Sequence, residues 1–170
     1  MEAGPPSDNA APTNLRDAFK RFGECMDYNE WVTGGLDHIA KTSSSGGAAC
    51  TSCHNAGTAS VYLNEQDPGG TFTHFTQFPY VERLVTGTVN DQGQFDTLVD
   101  ARRLIDKGTD PRQINANNHP LFNLGDNSGV DPLTLQTNLT NFVSNTLNKM
   151  RRINGCSAVV KPDAGAGDGG

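Results

Sequence analysis

The chain has 170 residues, a formal net charge of −6, a hydrophobic fraction of 35% and 19 glycines. This length suits one domain and is hardly enough for two. The modest apolar content and abundant glycine predict a loop-rich fold organised around something other than its own side chains. The negative charge and the lack of any basic run argue against nucleic acid as a partner and favour basic or neutral partners.

The two ends of the chain differ in composition from its middle. Residues 1–12 are polar and rich in proline, and residues 158–170 are rich in glycine. We expect a disordered N-terminal segment, one folded domain over residues 13–157 and a flexible Gly-rich tail. The first residues contain no apolar stretch of the kind found in signal peptides or membrane spans.

Helical periodicity begins directly after the N-terminal segment. Thr13 or Asn14 is a candidate N-cap, and apolar residues at helical spacing predict a first helix. These residues are Leu15, Ala18, Phe19, Phe22, Cys25 and Met26. A second helical stretch is predicted over residues 28–40, weakened by Gly34 and Gly35, before a loop of serines and glycines.

That loop leads to Cys50-Thr51-Ser52-Cys53-His54, a C-x-x-C-H, the pattern of covalent c-type haem attachment. Two thiols three positions apart lie on one side of a helical turn, so both sulfurs can reach the two vinyl groups of one haem. His54 then falls beneath the iron as the proximal ligand. Two other interpretations have less support: a thioredoxin-like dithiol needs a βαβ context, and half of a zinc site needs a second ligand pair.

The chain after the motif predicts little regular structure at first. We expect an irregular region over residues 55–77 with a turn at residues 67–70, where the sequence reads Asp-Pro-Gly-Gly. A short helix is then predicted over residues 78–89, opened by Pro79 near its first position. The segment 95–107 is compatible either with a helix or with an extended piece followed by a helical turn.

The last predicted element is the clearest. Asp131 is the expected cap, Pro132 occupies the first helical position, and Gly155 ends the helix. One apolar stripe runs along it, formed by Leu135, Leu139, Phe142, Val143, Leu147 and Met150. This pattern is typical of an amphipathic helix packed on a core.

Taken together, these residues resemble class I cytochrome c. An amphipathic helix, the C-x-x-C-H, a loop region, an axial-ligand segment and a final amphipathic helix follow in that order over residues 13–157. The resemblance implies a mainly α, cytochrome c-like domain with long loops wrapped around one covalently bound haem c. It also implies that the two terminal helices pack together and that haem is attached outside the cytoplasm.

We therefore expect a periplasmic or extracellular bacterial protein whose export signal has been removed. Contact with a membrane is expected only through a lipid anchor or a longer parent protein. In an oxidising compartment the two cysteines outside the motif, Cys25 and Cys156, form a natural disulfide pair. Such a bond would stabilise the fold by about 4 kcal/mol in the chain-entropy model. Two separate buried thiols are the alternative.

The sixth iron ligand is where the chain departs from the family. Class I members usually supply methionine from a Met-Pro segment before the final helix, whereas this chain has His119-Pro120 there. His119 is the preferred distal ligand, followed by His74 in the irregular region and then by Met150 on the last helix. An open distal position is the remaining possibility. His38 is interpreted as a surface histidine.

Two functions follow from these alternatives. With His54 and His119 as axial ligands the iron is six-coordinate and low-spin, which predicts outer-sphere electron transfer with redox partner proteins and no enzyme activity. With an open distal site the protein would be a haem enzyme, for instance peroxidase-like, or a gas-binding sensor.

Overall fold

A computed structural model describes residues 14–44, 46–57, 61–78, 80–91, 94–95, 100–109, 119–152, 154–157 and 159–162. In these ranges the protein is mainly helical, and the only β pairing is a set of isolated bridges. Seven α-helices are described: α1 (Leu15–Glu24), α2 (Tyr28–Thr33), α3 (Thr51–His54), α4 (Pro68–Thr76), α5 (Val81–Leu84), α6 (Arg102–Ile105) and α7 (Pro132–Met150). Two 3₁₀ helices span Leu36–Lys41 and Asp106–Gly108.

The first helix begins where its sequence predicts. The side chain of Asn14 accepts a hydrogen bond from the backbone N–H of Asp17 at 3.0 Å, which satisfies one of the free donors at the helix start. Ala18, Phe19 and Phe22 are buried. Helix α1 also contacts α7, the packing of terminal helices that the family resemblance leads us to expect.

The second predicted helix is divided into two. Helix α2 ends at Thr33 with Gly34 as its C-cap, and Gly35 adopts a left-handed conformation with φ of +69° before the first 3₁₀ helix. A residue with a Cβ adopts that conformation at a cost, so the second glycine allows the chain to change direction here.

The Asp-Pro-Gly-Gly sequence, predicted as a turn in an irregular region, starts a helix instead. Asp67 accepts a hydrogen bond from the N–H of Gly70 at 2.8 Å, and Pro68 occupies the first turn. The fixed φ of proline and the cap favour a helix start, which offsets the helix-breaking tendency of two glycines. Burial of Phe72 and Phe75 against Trp31 then stabilises α4.

The next predicted helix is shorter than expected. Helix α5 covers only Val81–Leu84, and an extended segment follows in which Thr86 pairs with Asp100 and Val89 with Phe95. The position of Pro79 lies outside the described residues. The ambiguous segment 95–107 forms a bridge at Phe95 and short helical turns from Arg102 onward, so the prediction of an extended piece followed by a helical turn fits its described residues.

The last helix follows its predicted start and stripe. Asp131 caps α7 by accepting from the N–H of Thr134 at 2.9 Å, and α7 ends at Met150, before the predicted stop at Gly155. The residues of the stripe from Leu135 to Leu147 are buried. Trp31, with no exposed surface, lies at the centre of the core between Phe72, Phe75 and Phe142.

A disulfide joins Cys25, directly after α1, to Cys156, beyond the end of α7. The residues that follow lie across the end of α1, where Lys161 donates through Nζ to the carbonyl oxygens of Gly23, Glu24 and Met26. The disulfide and this lysine therefore hold the C-terminal residues against the first helix. Residues 163–170 lie outside the described residues.

Replacing both Cys25 and Cys156 by serine is expected to lower the free energy of unfolding by about 2–5 kcal/mol, because the unfolded chain loses a long-range constraint. Urea unfolding measures the change. Ser157→Ala, an exposed neighbour, is the matched control and should stay within about 0.5 kcal/mol of the parent. Equal stabilities for the double variant and the parent would contradict the pairing.

Gly23 lies where α1 packs tightly against α4. A Cβ at this position would overlap the backbone carbonyl of Thr76, which cannot rotate away as a side chain can. We expect Gly23→Ala to destabilise the fold by about 1–3 kcal/mol in thermal or urea unfolding. Gly46→Ala is the control, since its Cβ would meet only Ser44 Oγ at 3.8 Å. A Gly23 variant as stable as the control would contradict this packing.

Among the described helices, none is both long enough and apolar enough to cross a bilayer.

Candidate haem site

The C-x-x-C-H motif forms one helical turn. The N–H groups of Cys53 and His54 donate to the carbonyl of Cys50 at 3.3 and 3.0 Å, and α3 covers Thr51–His54. Cys50 and Cys53 are both free thiols; Cys50 packs against the core, and Cys53 is exposed. The turn therefore has the helical form that its spacing predicts, with one thiol at the core and one at the surface.

Burial raises the pKa of the Cys50 thiol to about 11, with the neighbouring Cys53 adding to the effect. This thiol is therefore protonated at neutral pH. Its apolar surroundings suit an apolar group better than they suit a thiolate bound to a bare cation.

His119 lies beside this turn although it is distant in sequence. The ring centroids of His54 and His119 are 6.2 Å apart, and their planes are inclined by 27°. The segment directly before His119, residues 110–118, lies outside the described residues. Phe122 flanks the pair, with its ring centroid 5.5 Å from that of His119.

The ring of His119 bonds to the backbone of the next residue, Pro120. Its Nδ1 lies 3.0 Å from the carbonyl oxygen of Pro120, and donation by Nδ1 leaves Nε2 with a free lone pair. Burial lowers the pKa of His119, the charges of His54 and Lys107 lower it further, and the bond to Pro120 acts in the opposite direction. The neutral imidazole, which is the form that binds metals, is therefore favoured.

The spacing of the two rings fits a shared metal. Two imidazoles that bind one metal from opposite sides have ring centroids about 6 Å apart, given metal–nitrogen bonds of about 2.0–2.1 Å in histidine sites. The stacked pair of Tyr62 and His74 is much closer, at 4.6 Å. The described residues contain no group of three or more His, Cys, Asp or Glu side chains that could hold a bare ion. A haem carries most of the ligands of its iron itself, so the two histidines would suffice as ligands from the protein.

The alternative ligands occupy other surroundings. His74 lies between Tyr62 and Tyr80, with ring centroids 4.6 and 5.2 Å away, and its buried Nδ1 has no hydrogen-bond partner among the described residues. Met150 packs on the core at the C-terminal end of α7. The loop that carries His119 packs against the N-terminal part of α7, where Gln136 donates to Asn123 and Leu124. Met150 lies at the other end of this 19-residue helix, which is about 28 Å long.

His38, interpreted from sequence as a surface histidine, is half-buried instead. Its Nδ1 lies 2.7 Å from the carbonyl oxygen of Ser128, and its Nε2 lies 3.9 Å from a carboxylate oxygen of Asp37. This histidine is thus bound to Ser128, which lies outside the segment 119–127.

One part of the site has no counterpart in the sequence prediction. Thr42, Ser43 and Ser44 form hydrogen bonds or a bridge with residues 122–127, across sequence separations of 83 and 84 residues for the two side-chain bonds. A run of hydroxyl residues predicts a loop, but no periodic pattern in the sequence predicts that this loop bonds to residues 122–127.

The chain matches no protein-family model, and neither a curated protein nor a solved structure gives a significant match. The resemblance to class I cytochrome c therefore stays a prediction, based on the motif and the order of elements.

Proposed function

We propose that this protein is a monohaem c-type cytochrome that transfers single electrons. Cys50 and Cys53 would hold haem c covalently, His54 would be the proximal ligand and His119 the distal ligand. The observation that carries the proposal is the 6.2 Å approach of the His54 and His119 rings beside the C-x-x-C-H turn. Two residues so distant in sequence have no local reason to meet at this spacing.

The protein side chains divide the work between anchoring and ligation. The thiols of Cys50 and Cys53 would anchor one edge of the haem. The hydrogen bond from His119 Nδ1 to the carbonyl of Pro120 orients the free Nε2 of His119. A haem bound between the two histidines supplies a one-electron iron couple. With His54 and His119 both holding the haem, the protein would leave no position for a substrate, which favours outer-sphere transfer.

The choice of ligand also sets the direction of the reduction potential. Methionine as an axial ligand raises the potential of c-type cytochromes. Histidine in its place predicts a lower potential than that of a relative with histidine and methionine. Exposed Cys53 supports an attachment edge near the surface, where an electron can pass to a redox partner protein.

The disulfide supports export, since such bonds persist in oxidising compartments. We accordingly propose a periplasmic or extracellular location. The net charge of −6 favours basic or neutral redox partners over nucleic acid.

Carbon monoxide tests this function on the reduced holoprotein. We expect a fully reversible one-electron titration and little carbon monoxide binding, because His119 would hold the distal position. Rapid and complete carbon monoxide binding would contradict the carrier and would favour the haem enzyme or gas sensor with an open site.

A further inference from the structure

The loop that carries His119 is held by a second segment of the chain. We call residues 119–127 the distal arm. It contacts the segment 42–44 at three successive residues of that segment. The N–H of Gly125 donates to Thr42 Oγ1 at 3.1 Å. The N–H of Ser43 donates to the carbonyl of Asp126 at 3.0 Å, and Asn127 Nδ2 donates to Ser43 Oγ at 2.6 Å. Ser44 forms a β-bridge with Phe122.

Thr42 links the two halves of the site. Its carbonyl accepts the N–H of Cys50 at 2.9 Å, while its hydroxyl accepts the N–H of Gly125 on the distal arm. The residue has no exposed surface. A single buried threonine therefore contacts the start of the attachment motif through its backbone and the distal arm through its side chain.

Gly125 leaves the arm few other arrangements. Its φ of +102° is a conformation that favours glycine, and a Cβ there would lie 2.8 Å from the Cα of Pro132. Its buried N–H needs an acceptor, and Thr42 Oγ1 is the one that the structure provides. Without this hydroxyl, the N–H of Gly125 would have no partner when the arm is closed, which would favour opening of the arm.

We propose that Thr42 controls access to the distal iron position, because its hydroxyl keeps the distal arm closed and thereby keeps His119 in place. Thr42 is a positioning residue, since it acts through Gly125 and the arm. This inference rests on the proposed function and extends it to regulation of the same site. With haem bound, opening of the arm would remove His119 from the iron and admit an external ligand, whereas the closed arm would keep His119 in place.

Cyanide binding to the ferric holoprotein measures the opening. If His119 must leave before cyanide enters, the rate follows the fraction of open arm. Thr42→Val keeps the shape of the side chain but removes the hydroxyl, and loss of one buried hydrogen bond predicts binding about tenfold faster. Thr42→Ser keeps the hydroxyl and should restore the parent rate.

Thr146→Val is the matched control. Thr146 is also fully buried, and its hydroxyl donates to the carbonyl of Phe142 within α7, so its loss breaks no link to the arm. We expect the parent rate. Equal acceleration in the Thr42 and Thr146 variants, or no rescue by serine, would overturn the proposal in favour of general destabilisation. If Thr42→Val does not fold, Ser43→Ala replaces it as the test, because it removes the acceptor of Asn127 between the same two segments. We expect cyanide binding to be severalfold faster, and binding at the parent rate would overturn the proposal.

Amide hydrogen exchange at Gly125 separates this inference from the proposed function. Faster exchange in Thr42→Val, with parent behaviour in Thr42→Ser, supports control of the arm even if the parent iron proves open to cyanide from the start. An iron open to cyanide in the parent would contradict the carrier function alone. Unchanged exchange at Gly125 in Thr42→Val would overturn the role of Thr42.

Discussion

Replacing His119 by alanine is expected to convert the ferric haem almost completely from low spin to high spin. The ring of His119 approaches that of His54, with 6.2 Å between their centroids, and alanine offers the iron no nitrogen. The optical spectrum and electron paramagnetic resonance of the purified holoprotein measure the change. The same variant should bind carbon monoxide readily once reduced.

Two histidines serve as controls for this substitution. His38→Ala removes a ring bound to the carbonyl of Ser128 and should leave the iron low-spin. His74→Ala removes the ring between Tyr62 and Tyr80 and should also leave it low-spin. A low-spin His119 variant together with a high-spin His74 variant would identify His74 as the distal ligand and contradict the proposed site.

The second large effect is expected at the attachment cysteines. Cys50→Ser combined with Cys53→Ser should abolish covalent haem completely, because serine cannot form the thioether. Each single variant should retain haem through one bond in a smaller yield. The intact mass measured under denaturing conditions, after maturation in a host that exports and assembles c-type cytochromes, gives the fraction that carries haem.

Ser52→Ala is the matched control for the cysteine variants. Ser52 is exposed on the same turn and has no role in attachment, so the variant should carry haem like the parent. Covalent haem in the double cysteine variant would show that another residue holds the group. Loss of haem in the Ser52 variant would show that any change on this turn prevents attachment.

Local signals predicted those elements whose ends are set by neighbouring residues. Asn14 caps α1 and Asp131 caps α7, because each of these two side chains accepts from an amide only three residues away. Pro132 occupies the first position of α7. The turn predicted at residues 67–70 was wrong, since the same kind of cap acts at Asp67. There the glycines suggested a turn, while burial of Phe72 against Trp31, a contact between distant residues, favours the helix.

The candidate site shows the same division. The helical turn of Cys50, Cys53 and His54 follows from spacing alone. The partner of His54 required a family resemblance to single out His119, and the approach of the two rings depends on long-range contacts. The bond from Gly125 to Thr42 Oγ1 cannot be predicted from composition or periodicity, because the sequence does not distinguish one loop hydroxyl from another.

The most direct test of the covalent haem is the mass of one peptide. Trypsin cuts after Lys41 and Arg83, with no other site between them, so residues 42–83 form a single peptide with both motif cysteines. After maturation of the exported protein, we predict that this peptide carries the added mass of one haem and that neither cysteine reacts with an alkylating reagent. An unmodified peptide with two reactive thiols would contradict the account.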